Sequence, residues 1–136
     1  MITGIAHINL LVPIGTLDQA EAFYGKTLGL TPRPGPEGWA GRLAWFDIGT
    51  SGQQVHIAFG ENENLKSSRH PCFKIESPGA LQELKQKVWE HHLKGDAAGP
   101  KEADEPGAQN SGNQGKGYPT RFFARDYAGN RLEFSL

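Results

Sequence analysis

The spacing of apolar and polar positions along this chain changes period several times, and the sequence of changes repeats. In GIAHINLLV the alternation is that of a strand, with Ala6, Ile8 and Leu10 on one side and His7, Asn9 and Leu11 on the other. In PIGTLDQAEAFYGKTLGL the period lengthens. Leu17, Ala20, Phe23, Tyr24 and Leu28 form the apolar stripe of a helix that Thr16 is placed to cap and Gly29 to end in the left-handed conformation. Short strands are predicted next, near 31–35, over RLAWFDIG and over QQVHIAFG, with TSG as the tight turn between the last two. The order is one strand, one helix, three strands.

After the polar stretch ENENLKSS the same order starts again. RHPCFKIE reads as a strand. SPGALQELKQKVWEHHL reads as a helix with Ser77 as cap, Pro78 at its first position, Gly95 beyond its end, and Leu81, Leu84, Val88 and Trp89 as its buried stripe. His91 and His92 fall in its last turn, where positive charge complements the helix dipole. Residues 95–118 carry almost no large apolar side chain and are expected to form a strand remnant and a mobile loop, able to act as a lid. RFFARDYAGNRLEFSL closes the chain as a hairpin, with Gly129 and Asn130 at turn positions that call for positive φ. The expectation is one α+β domain of two βαβββ modules, about 1–62 and 68–136, forming a curved mixed sheet around a central cavity.

Superposing the two modules locates the candidate chemistry. His7 and His70 begin the first strand of each module, while His56 and Glu133 occupy the last strand of each. The second pair is spaced more widely than the first, and the long loop accounts for the excess. All four lie on strand faces opposite those that pack on helices, so two curved sheets would converge them in one cavity. In the last strand Leu132, Phe134 and Leu136 share one face, leaving Glu133 on the polar one. A carboxylate there is either exposed or occupied, because an isolated buried charge costs several kcal/mol.

Composition narrows the class of function. At 136 residues with 37% apolar content the chain can bury a core, and its net charge of −1 gives no general attraction to nucleic acid or to an anionic membrane. The single cysteine, Cys72, excludes an intrachain disulfide. With no apolar span or basic leader at the N-terminus, a cytoplasmic location is expected.

Five fragments in order, AHINLLV, AFYGKTLGL, VHIAF, HPCFKI and FFARDYAGNRLEF, resemble the vicinal oxygen chelate superfamily, which includes glyoxalase I, fosfomycin-resistance thiol transferases, extradiol dioxygenases and bleomycin-binding proteins. The resemblance covers nearly the whole chain. Tyr127 departs from it, standing where the family usually has proline. The resemblance implies one divalent ion per site, of Zn, Ni, Mn or Fe, with two adjacent substrate oxygens often completing its coordination. It places His7, His70 and Glu133 on three ligand positions and His56 on a fourth that glyoxalase I fills with a carboxylate. It also implies a homodimer, often with the paired modules contributed by different chains.

Three functions follow as alternatives. The first is a metal-dependent lyase or isomerase acting on a small oxygenated substrate, with Glu133 or a metal-bound water moving the proton. The second is an extradiol Fe(II) dioxygenase. The third is a metal-free sequestering protein of the bleomycin-resistance type, its cavity lined by aromatics such as Trp39 and Trp45. Asn9, Trp45 and Cys72 are candidates for contacting substrate, and Lys74 and Arg121 would favour an anionic one.

Overall fold

The computed structural model describes residues 1–108 and 120–136, and its contacts divide the chain into two compact units, Met1–Glu63 and Asn64–Leu136. The first contains β1 (His7–Val12), a helix α1 (Leu17–Ala20) that widens into a π-helical stretch (Glu21–Thr27), β2 (Thr31–Arg33), β3 (Leu43–Asp47) and β4 (Gln54–Phe59). Its sheet runs β1-β4-β3-β2, with β1 parallel to β4 and the other pairs antiparallel. Register sets Ile8 beside Val55 and Leu10 beside Ile57, so the apolar sets of adjacent strands share a face. Val12, Phe46, Val55 and Ile57 are buried, as are Ala20, Phe23 and Tyr24 of the helix.

The helix widens where the sequence asks two consecutive aromatics to face inward. Leu28 N–H donates to the Phe23 carbonyl at 2.9 Å, an i to i+5 bond, and both Phe23 and Tyr24 are buried. Tyr24 packs on Phe46 with ring centroids 5.9 Å apart. Thr16 stands at the cap position without a capping bond from its side chain; its hydroxyl donates back to the Pro13 carbonyl at 2.7 Å instead. Gly29 ends the stretch at φ 76°, as the sequence predicts.

The second unit contains β5 (Cys72–Lys74), α2 (Pro78–Lys94), β6 (Glu102–Ala103), β7 (Arg121–Arg125) and β8 (Arg131–Ser135), with sheet order β5-β8-β7-β6. Again the first and last strands are parallel and the remaining pairs antiparallel. Both units are therefore βαβββ modules with one strand order. In α2 the Ser77 hydroxyl accepts from Ala80 N–H at 3.2 Å, Pro78 opens the helix and Gly95 closes it in the left-handed region. Leu81 and Val88 are buried with the stem of Lys85, whereas Leu84 and Trp89 are only half-buried.

The stretch after α2 is tied down in its first part. His92 Nδ1 lies 2.7 Å from the Pro100 carbonyl, His91 pairs with Asp96, and Ala98 is buried. Asp104 Oδ2 accepts from Phe123 N–H at 2.8 Å, next to the strand remnant β6. The rest of the expected loop, 109–118, lies outside the described residues. Among the described residues no helix is long and apolar enough to cross a membrane.

The β7–β8 turn is built around Asp126, which is fully buried. Its carboxylate accepts from Ala128 N–H (2.9 Å), Asn130 N–H (2.8 Å) and Asn130 Nδ2 (2.9 Å). Only Gly129 takes positive φ there, at 85°, so Asn130 serves as a donor and not as a second left-handed residue. Replacing Asp126 by Ala strands buried donors and is expected to cost more than about 2 kcal/mol, against about 1 kcal/mol for Ser77→Ala at the helix cap. Denaturant unfolding of both variants checks the order, and equal or reversed losses would contradict this account of the turn.

Candidate functional site

Strand alternation brings the candidate residues of the first unit to the face opposite its helix. Register sets Asn9 and Trp45 on either side of His56, and His7 lies two residues before Asn9 on the same face. The rings form a stack. His7 and His56 are 4.0 Å apart at 12°, and Trp45 covers the other face of His56 at 4.4 Å and 7°. Trp39 lies in the loop before β3, 52% exposed, so of the two tryptophans expected to line a cavity only Trp45 joins this row.

A chain of polar side chains fixes His56 in its plane. Arg33 Nε donates to Asp47 Oδ2 at 3.0 Å, and Asp47 Oδ1 accepts from Gln54 Nε2 at 2.8 Å. That orients the Gln54 amide so that its Oε1 faces His56 Nε2 at 2.9 Å. An amide oxygen only accepts, so His56 Nε2 carries the hydrogen and Nδ1 is the bare nitrogen. Partial burial lowers the His56 pKa, and the neighbouring His7 lowers it further, both favouring the neutral ring.

Imidazole binds a metal through a lone pair in the ring plane. Two rings stacked nearly parallel have planes that do not meet near either nitrogen, so His7 and His56 as arranged here do not chelate one ion together. Gln54, Asp47 and Arg33 were not singled out from sequence, although alternation along β4 already put Gln54 on the face of His56.

In the second unit register sets Cys72 and Phe123 on either side of Glu133, repeating the row of Asn9, His56 and Trp45. Here the row is ionic. Glu133, 7% exposed, has Oε2 2.7 Å from His70 Nε2, and Oε1 accepts from Arg121 Nη1 at 3.0 Å. His70 Nδ1 is 2.6 Å from the Ser68 carbonyl, which can only accept, so Nδ1 carries a hydrogen. Nε2 is then aimed at a carboxylate oxygen, itself an acceptor. Only a cation joins two such atoms, either a proton or a metal ion. An imidazole held through its far N–H by a backbone carbonyl, beside a carboxylate, is a donor set that fits a divalent ion.

The other expected contacts divide. Cys72 is exposed as a residue, and the partial burial of its sulfur raises the thiol pKa, with the adjacent Glu133 charge raising it further. Arg121 is committed to Glu133, and Lys74 is exposed on β5, across from Ser135. Among the described residues no three His, Cys, Asp or Glu side chains gather as a metal cluster.

No protein-family model and no curated protein matches the chain. Solved structures do. A Bacillus anthracis protein assigned to the glyoxalase family is 30% identical with a TM-score of 0.72, over 98% of this chain and 94% of that one. The fosfomycin resistance protein FosX of Listeria monocytogenes, complexed with Mn(II) and a sulfate ion, is similar at 19% identity and TM-score 0.67, over 99% and 90%. A lactoylglutathione lyase of Agrobacterium tumefaciens is similar at 20% identity and TM-score 0.64, over 98% and 93%.

The tautomer of His56 is directly measurable. Long-range proton–nitrogen NMR of the apoprotein is expected to show hydrogen on Nε2 only, and Gln54→Leu is expected to release the ring into a mixture of both forms. Hydrogen on Nδ1 in the unaltered protein, or an unchanged tautomer in the variant, would contradict the relay through Gln54.

Proposed function

Because the chain belongs to the glyoxalase family of the vicinal oxygen chelate superfamily, we propose that it is a metal-dependent lyase or isomerase acting on a small oxygenated substrate. The observation that carries this reading is the 2.7 Å approach of His70 Nε2 to Glu133 Oε2, two atoms that need a cation between them. We assign His70 and Glu133 as a ligand pair within the second module and take His7, by itself, as the candidate ligand of the first, since neither nitrogen of His7 is hydrogen-bonded among the described residues. Such a mixed imidazole and carboxylate set suits Zn, Ni, Mn or Fe, and the similar FosX was crystallised with Mn(II).

When bound, a divalent ion would supply Lewis-acid polarisation of a substrate oxygen. The protein's own residues do the rest. Glu133 takes or returns the proton on the adjacent carbon, and Arg121, bonded to its other oxygen, keeps the carboxylate oriented. Cys72 stands directly across from the same carboxylate on the neighbouring strand. In the first module Trp45, His56 and His7 stack face to face, so the row turns its ring edges outward. A second reading, sequestration of a planar compound without metal, would draw on this aromatic row. For assembly we propose a homodimer, which sedimentation would report as two chains per particle.

Glu133→Gln removes the ligand charge and keeps the shape. Calorimetric titration with Mn(II) or Zn(II) is expected to show at least tenfold weaker binding, with the fold intact by circular dichroism. Unchanged affinity would remove Glu133 from the metal set.

A further inference from the structure

We propose that Arg131 and the cavity beside it, on the polar face of the second sheet, form a subsite for an oxyanion of the substrate, a carboxylate or a phosphonate. The inference deepens the proposed function and rests on it for the reaction, while the site itself rests on how the charges of this face are already used. A cavity of about 320 Å³ is lined there by two carboxylates, Glu102 and Asp104, two guanidinium groups, Arg125 and Arg131, and the Phe123 ring. Three of those four charged groups already hold hydrogen bonds. Glu102 accepts from Arg125 Nε at 3.2 Å, and Asp104 accepts from Phe123 N–H. Arg125 also donates to the carbonyls of Gly129 (3.1 Å) and Ser67 (3.0 Å).

Arg131 differs from all of these. Among the described residues it makes neither a hydrogen bond nor an ion pair; its guanidinium lies over Phe123, 4.4 Å from the ring centroid. Residues 109–119 contain no Asp or Glu that could neutralise it. The formal charges lining the cavity cancel, so it is the guanidinium itself that calls for an anion: Arg131 is the one charged group of the lining whose donors meet no acceptor among the described residues, and an oxyanion is the acceptor that fits them. A guanidinium that lies over a ring still has its N–H fork available to an acceptor, and that fork matches a carboxylate or phosphonate with two bonds. A cavity of this size is at the small end of ligand sites, which begin at about 300 Å³.

Position ties the subsite to the chemistry. Arg131 precedes Glu133 by two residues on β8 and shares its face, and same-face neighbours along a strand are about 6.6–6.8 Å apart. A substrate of a few carbons therefore reaches from Arg131 to Glu133. This moves the expected anion contact from Lys74 and Arg121 to Arg131, since Arg121 is spent on Glu133 and Lys74 stands at the sheet edge.

The test uses metal-free protein and two small probes, methylphosphonate and acetate, followed through the arginine Nε–H resonances. The Arg131 signal is expected to shift and saturate, while exposed Arg42 moves only with ionic strength. Arg131→Gln should weaken binding at least tenfold, read on the Phe123 ring signals, and Arg131→Lys should fall between, because it keeps charge and loses the fork. A non-saturating Arg131 shift that tracks Arg42, or unchanged binding in Arg131→Gln, would overturn the subsite. Metal titration is run separately on the same samples. Failure to bind metal with a saturable Arg131 shift would sink the catalytic reading and keep the subsite, and metal binding without the shift would do the reverse.

Discussion

A buried carboxylate on a strand is the constraint around which the second module is arranged. Glu133 retains 7% of its exposure, and leaving such a charge without partners costs several kcal/mol. It cannot turn outward, because Leu132 and Phe134 on either side are locked into the apolar face, Phe134 stacking on Phe122 at 4.7 Å and on Phe73 at 5.5 Å. The partners must come to it. His70 and Arg121 reach the carboxylate from neighbouring segments, and the Asp126 turn holds β7 and β8 in the register that makes this geometry repeatable.

The first module has the same strand order and the same rows, yet solves a different problem. Where the second places an ionised carboxylate, the first places a neutral imidazole, and an imidazole is held by stacking and by one directed hydrogen bond. Trp45 and His7 enclose the ring, while Arg33, Asp47 and Gln54 decide which nitrogen carries hydrogen. Like positions in the two modules thus carry unlike chemistry, one ionic and directed at a cation, the other aromatic and stacked.

Much of this was legible in the sequence because it depends on period. Alternation in β1, β4 and β8 assigned His7, His56 and Glu133 to the polar faces, and Ser77, Pro78 and Gly95 marked the ends of α2. What escaped depended on side-chain direction. Nothing in the spacing shows that Thr16 bonds backward to Pro13, that Arg121 is consumed by Glu133, or that His7 and His56 stack with their lone pairs in separate planes. The relay from Arg33 to His56 crosses three strands and depends on cross-strand register, which alternation within one strand does not define.

The claim that the approach of His70 to Glu133 is the seat of a metal ion is tested most directly by the metal content of protein purified without a histidine tag. Near-stoichiometric Mn, Zn, Ni or Fe surviving dialysis is the expected result, with the ion lost when His70 is replaced by Ala. Protein that retains no transition metal after supplementation with each of these ions would contradict it, and would leave a proton as the cation between the two side chains.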